Sequence, residues 1–387
     1  MFPRISDLIN YLLGTHINLP VNSYGFMMAI AFVFGGYLIW LEFRRKERNG
    51  EIPSQQKKVL QGGPPDLTEL SVTVFFAFIL GWKGLGIILD YADFSRMPED
   101  YIFSGKGSIP GALLLAALSG TVTWLRMKKQ QLKEPVWTDK TIHPYELTPM
   151  IIMIAAVFGI LGSKIFDMIE HLDDLVRDPV GTLFSFSGLS FYGGLIVAAF
   201  AVLWYASHNK IRVPQMLDTA APGLILAYAI GRIGCQLCGD GCWGVLNTAP
   251  KPRWMGFLPD WTWSFRYPHN VIDEGIQITN CTGPHCHILA IPVFPTPFYE
   301  TLLGLLIFAI LWGLRKKLTI PGYLFCLYLI LNGVERFFIE HIRINKVYDL
   351  LGMHLTQAEI IAVLLVILGV LGLWYFRMKN EELKIKN

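Results

Sequence analysis

A small set of ionisable residues stands inside or at the ends of long apolar stretches. Arg232 lies near the end of one stretch with Asp240 just beyond it, and Glu300 opens another. Arg336, Glu340 and Arg343 fall at i, i+4 and i+7 near the end of a third, a spacing that places them on one helical face. Tyr192 and the pair Gly193-Gly194 lie at the start of a fourth. Charge in an apolar setting is costly and by default marks function. The arginine fork suits a planar two-point anion, phosphate or carboxylate. A local Arg336–Glu340 ion pair would account for those two residues alone. Arginines, carboxylates and a close-approach glycine pair at one depth instead point to an anion site, and a phosphate at headgroup depth is most simply that of a phospholipid.

The elements that must position these groups are membrane helices. The chain has 387 residues, 53% hydrophobic and 16% charged, with a mean hydropathy of +0.43. Soluble domains carry about 25% charged residues, so a cytosolic enzyme, a nucleic-acid binder and a disulfide-scaffold domain are excluded. Nine nearly uncharged runs (24–43, 69–90, 109–126, 149–169, 188–206, 216–236, 298–314, 320–340 and 358–376) each have about the length a spanning helix needs. The reading is an all-α, polytopic integral membrane protein of about nine transmembrane helices, a single transmembrane domain over 1–387. The N-terminal twenty residues lack the pattern of a cleaved signal peptide. Most Lys and Arg fall in alternate loops, among them Arg44, Arg45, Lys46, Lys128, Lys129, Arg315, Lys316 and Lys317, and in the tail. The positive-inside rule then predicts an external N-terminus, a cytoplasmic C-terminus and an external loop at 238–297. All the charged candidates above converge on the external half of the membrane.

Ile79-Leu80-Gly81-Trp82-Lys83 recurs as Ile160-Leu161-Gly162-Ser163-Lys164, and Ser104-Gly105 with Gly111 recur as Ser187-Gly188 with Gly194. A duplicated two-helix unit explains this, as does chance likeness between apolar hairpins. The 238–297 loop is rich in Trp and holds Cys242, Cys281 and Cys286, with Cys235 and Cys238 just before them or at its edge. Two readings stand side by side there. Disulfides such as Cys242 to Cys281 or Cys286 suit an oxidising compartment, whereas Cys281, His285, Cys286 and His287 with Cys238 and Cys242 offer N and S donors. The compartment favours disulfides, and no metal or other cofactor is expected.

Asp218-Thr219-Ala220-Ala221-Pro222, followed by Gly231-Arg232-Ile233-Gly234-Cys235-Gln236-Leu237-Cys238-Gly239-Asp240-Gly241-Cys242-Trp243-Gly244, resembles the signature helix of the prolipoprotein diacylglyceryl transferase family. Ser190-Phe191-Tyr192-Gly193-Gly194-Leu195-Ile196, Pro295-Thr296-Pro297-Phe298-Tyr299-Glu300, the Arg336/Glu340/Arg343 triplet and Tyr24-Gly25 are similar to further family motifs, and Lys164 stands where the family carries arginine. The likeness covers 20–45 and 149–376 in order. The 50–148 segment has no counterpart in the shorter family pattern and reads as an insertion carrying the first copy of the two-helix repeat.

The resemblance implies transfer of a diacylglyceryl group from phosphatidylglycerol to the lipobox cysteine thiol of exported prolipoproteins, with release of glycerol phosphate. It places the protein in the bacterial cytoplasmic (inner) membrane with its site facing outward. The partners are then that lipid and signal peptides with a lipobox cysteine, with no nucleic acid. By the same resemblance Arg232 and Arg336 hold the phosphate, and Asp240 and Glu340 orient them or manage the thiol proton. Tyr192 occupies the position of the family's catalytic histidine. Tyr24, Lys164, Gly193, Gly194, Cys235, Glu300 and Arg343 contact substrate. Several positions depart from the pattern. Tyr192 is a poor base near neutral pH, Cys235 replaces an asparagine, and Asp240 replaces a glutamate. These departures leave open a paralogue that binds or transports anionic phospholipid without the chemistry.

Overall fold

The computed structural model describes residues 1–61, 63–91, 94, 101, 104–132, 135–177, 190–281, 283–343, 347–350 and 353–386, with the backbone alone at 59, 60, 174, 175, 191, 347–350, 353–355 and 383–386. Ser187, Gly188 and Leu189, and the loop cations Arg96, Lys133 and Lys346, lie outside the described residues.

A short helix α1 (Ile5–Leu13) precedes α2 (Ser23–Arg48), α3 (Leu67–Leu89), α4 (Ile109–Gln130) and α5 (Thr148–Glu170). They are followed by the six-residue α6 (Leu172–Arg177), α7 (Phe191–His208), α8 (Val213–Cys238), α9 (Thr296–Leu314), α10 (Tyr323–Glu340) and α11 (Gln357–Lys386). Each apolar run of the sequence thus corresponds to a helix among the described residues. Seven of these, α2 to α5, α8, α9 and α11, are long and apolar enough to cross a membrane, whereas α7 is shorter. The exception α10 carries Glu335, Arg336 and Glu340 within its 18 residues. Large side chains such as Phe200 (72% exposed) and Leu114 (69%) stand outward, as lipid-facing positions require. The protein is an all-α, multi-pass membrane protein.

The ends of these helices follow local chemistry. Asn22 Oδ1 accepts the Tyr24 N–H at 2.8 Å at the start of α2, and Asp66 and Ser108 side chains cap α3 and α4 in the same way. α10 starts after Gly322 with no cap of its own. Asp218 supplies one from α8, accepting the Gly322 N–H at 2.7 Å and the Phe325 N–H at 2.9 Å. This buried carboxylate satisfies helix-end donors that would otherwise be orphaned.

The chain divides into two compact units. The first comprises Met1–Ile52, Leu147–Gly159 and Ile196–Asn387. Its centre is α8, packed on α2 and α9, while α10 packs on α11. Gly35 and Gly223 let α2 and α8 approach closely: a Cβ on Gly223 would stand 3.0 Å from the Gly35 carbonyl oxygen. Ile225, Ile307, Leu311 and Leu324 form a core among α8, α9 and α10.

The second unit comprises Pro53–Glu146 and Ile160–Leu195. Strands β1 (Gln55–Gln61) and β2 (Val136–Ile142) pair antiparallel, and α3 packs on α4. A Cβ on Gly111 would lie 2.6 Å from the Gly81 carbonyl oxygen, and one on Gly193 would lie 2.6 Å from that of Gly162. The Ser108 N–H bonds the Trp82 carbonyl at 2.8 Å, and the Ser190 N–H bonds that of Ser163 at 3.2 Å. The same glycine contact and serine bond therefore occur in both hairpins. By this packing Gly193, rather than Gly194, is the counterpart of Gly111. Lys83 Nζ donates to the carbonyls of Tyr101, Ser104 and Lys106, and Lys164 Nζ pairs with Asp167 at 3.1 Å.

Candidate functional site

Three arginines meet on one carboxylate. Glu300, fully buried in the first turns of α9, receives Arg232 Nε at 3.2 Å, Arg336 Nη1 at 3.2 Å and Arg343 Nη1 at 3.1 Å. Tyr228 Oη donates to the same carboxylate at 3.1 Å, and the Arg232 guanidinium lies over the Tyr228 ring at 5.1 Å. Arg336 Nη2 also reaches Glu340 at 3.0 Å. The helix directions explain the convergence: α8 and α10 end where α9 begins. The carboxylate that gathers the arginines is Glu300, and Glu340 also holds Arg336. Three guanidinium groups gathered at one place present fork-shaped donors, which suit a phosphate.

One expectation from helical spacing does not hold. α10 ends at Glu340, so Arg343 is not on the shared helical face. It reaches Glu300 because residues just past the helix pair with the loop: Gly244 forms a bridge with Arg343, and the Val245 N–H bonds the Ile342 carbonyl at 2.8 Å. Only glycine fits at 244, since a Cβ there would stand 2.3 Å from that same carbonyl oxygen.

Asp240 lies among sulfurs. The αL glycine Gly239 (φ 66°) ends α8, and Gly241 (φ 85°) continues the reversal. Asp240 Oδ1 accepts the Cys242 N–H at 3.2 Å, and Thr296 Oγ1 donates to the Cys242 carbonyl at 2.7 Å. Ligand atoms of Cys235, Asp240 and Cys242 all lie within 4.8 Å of one another. A hydrogen bond with Cys235 holds the Cys242 thiol below its ordinary range, against the opposing effect of burial. Tyr24 lies beside this turn: a Cβ on Gly234 would be 3.2 Å from the Tyr24 Cα. Cys238 points away, towards the Cys235 carbonyl at 3.8 Å.

The 238–297 loop is a folded cap on this end of the unit. Trp243, Tyr267, Leu289 and Val293 form its core, and Tyr267 Oη donates to Gln236 of α8 at 2.8 Å. Burial raises the Tyr267 phenol well above its ordinary pKa, so it acts as a donor anchor. Cys281 and Cys286 are bonded to each other. That bond replaces the expected pairing of either with Cys242 and removes both from any metal set with His285 and His287. The neighbouring strands β3 (Ile276–Gln277) and β4 (His287–Ile288) pair across the same hairpin.

Tyr192, Gly193, Gly194 and Lys164 belong to the second unit. Gly193 serves close helix packing there, since a Cβ would fall 2.3 Å from the Phe166 Cβ. Sequence reasoning passed over Tyr228 and Glu335 as site residues. Tyr228 is four residues before Arg232 and shares its helical face, a signal available from spacing. Glu335 is 5% exposed, and neither of its carboxyl oxygens has a hydrogen-bond partner among the described residues. At the other end of α9, a cavity of about 530 Å³ is lined by Arg44, Arg45, Arg48, Arg315 and Lys316, with Glu42 bridging Arg45 and Arg315 at 2.9 and 2.7 Å.

A family model described as prolipoprotein diacylglyceryl transferase matches residues 111–375. Among curated relatives, a phosphatidylglycerol–prolipoprotein diacylglyceryl transferase of Leptospira interrogans is 24% identical over 274 residues, covering 64% of this chain and 75% of the relative. One of Dehalococcoides mccartyi is 27% identical over 238 residues (62% and 80%), and one of Chlorobaculum tepidum is 26% identical over 287 residues (70% and 86%).

Proposed function

Because the chain belongs to the prolipoprotein diacylglyceryl transferase family, we propose that it transfers a diacylglyceryl group from phosphatidylglycerol to the thiol of a lipobox cysteine in exported prolipoproteins. The site lies at the outer face of the bacterial inner membrane, in keeping with the sidedness of the loop cations. The observation that carries the reading is the gathering of Arg232, Arg336 and Arg343 on buried Glu300. The acceptor sulfur attacks the terminal glyceryl carbon. The C–O bond to phosphate breaks with its electron pair on oxygen, and glycerol phosphate leaves. Arg232 and Arg336 bind the phosphate and stabilise the charge that develops on it. Glu300 and Glu340 fix the two guanidinium groups in place before substrate arrives, and Arg343 adds a third fork to the same anion. Tyr24 and Cys235 border the acceptor's approach. The family match reaches back to residue 111, so of the 50–148 segment only 50–110 stands outside it, and the hairpin of α3 and α4 repeats the glycine contact of the one formed by α5 and the start of α7.

Mixing purified protein, phosphatidylglycerol and a lipobox peptide tests this reading. The peptide mass should rise by one diacylglyceryl group while glycerol phosphate appears. Lipid binding that requires Arg232 and Arg336, without release of glycerol phosphate, would establish the alternative: a paralogue that binds or carries anionic lipid, which Tyr192 in place of the family's histidine favours.

A further inference from the structure

The transferase chemistry needs a thiolate, and Tyr192 offers no base near neutral pH. The structure places three side chains able to ligate a metal elsewhere, at the turn beyond α8. On an uninterrupted helix, residues seven apart would be separated by about 10 Å along the axis. Cys235 and Cys242 are instead brought together by the reversal at Gly239 and Gly241, with Asp240 between them, all three ligand atoms within 4.8 Å. Cys235 is 5% exposed and Cys242 half-buried. The surroundings hold the donors in place: the Cys242 N–H fixes one Asp240 oxygen and leaves the other available, and Thr296 fixes the Cys242 carbonyl. Such outer contacts are what orient metal ligands.

We propose that Cys235, Asp240 and Cys242 form a three-ligand site for a divalent metal of the zinc class, whose open fourth position takes the acceptor thiol as thiolate. This rests on the transferase reading above. Two thiolates and a carboxylate suit a borderline-soft cation such as Zn²⁺, and three protein ligands with one open position is the arrangement of catalytic zinc sites. A metal-bound thiol is deprotonated without a protein base. Cys235 lies one helical turn after Arg232, so the thiolate stands beside the arginines that hold the donor phosphate. The acceptor releases its proton to water as it binds. Its sulfur lone pair forms the S–C bond to the terminal glyceryl carbon as the C–O bond breaks, and that electron pair leaves on the phosphate oxygen. The product thioether is neutral and a weak ligand, so water displaces it.

The test uses the full chain purified in detergent under reducing conditions with zinc. About one metal per chain is expected. Cys235→Ser, Asp240→Asn and Cys242→Ser should each lose it while eluting as folded protein, and Cys238→Ala should keep it. Cobalt loading should give a thiolate-to-metal absorption band that changes with a lipobox peptide but not with its serine counterpart. Chelation should abolish transfer, and added zinc should restore it. Transfer by metal-free protein, or a Cys235–Cys242 disulfide in active protein, would overturn the proposal. A stoichiometric metal with a thiol-dependent band but no transfer would uphold the metal site and overturn the transferase reading instead.

Discussion

Glu300→Gln is the most telling perturbation of the arginine cluster. Glu300 is fully buried and meets three guanidinium groups at 3.1–3.2 Å. At an effective dielectric near 20, each contact is worth about 5 kcal/mol of Coulomb energy. Repulsion among the arginines and the desolvation of all four groups offset most of the sum. Breaking a buried pair by neutralising one partner costs about 3–5 kcal/mol, and that is the expected destabilisation. Glutamine keeps the shape and leaves three positive charges facing one another. Thermal unfolding of the detergent-solubilised protein, followed by tryptophan fluorescence, should fall by on the order of 5–10 °C. Inorganic phosphate or phosphatidylglycerol should recover part of the loss, because an added anion replaces the missing one. Glu335→Gln is the matched comparison: its buried carboxyl has no hydrogen-bond partner among the described residues, so the change should cost less than Glu300→Gln. If Glu300→Gln unfolds with the wild type while Glu335→Gln is damaging, the assignment of Glu300 as the hub is refuted.

Other outcomes follow from the same geometry. Arg336→Ala should lower transfer by about 10²–10³-fold, and Arg336→Lys should recover only part of it because the ammonium cannot span Glu300 and Glu340 as the fork does; a peptide-lipidation rate assay reads both. Gly193→Ala should cost about 1–3 kcal/mol, because its methyl would overlap Phe166 and the Gly162 carbonyl; an unchanged melting temperature would show that these helices separate easily. Replacing both Cys281 and Cys286 with serine opens a short loop and should weaken the cap by about 2 kcal/mol. Limited proteolysis should then cut within 238–297 at protease levels the wild type survives.

Much of the molecule was legible in the sequence because a bilayer imposes strict rules on it. Apolar runs of spanning length had to become helices, since hydrocarbon leaves no other way to satisfy the backbone. The costly charges Arg232, Glu300, Arg336 and Glu340 could be singled out before any coordinates, and antiparallel helices placed them at one end. What spacing could not supply was their partners. Arg343 lies past the end of α10 and reaches the cluster through a bridge to Gly244, a contact between segments about a hundred residues apart. Glu300 is the shared counter-ion only because α8, α9 and α10 present their ends together, and Asp218 caps α10 from another helix for the same kind of reason. Cys242 joined Cys235 and Asp240 only through two left-handed glycines, whereas periodicity would have kept the sulfurs apart. Local patterns report what each helix buries; which side chains meet at its ends is set by turns and by long-range packing, and that belongs to the tertiary structure alone.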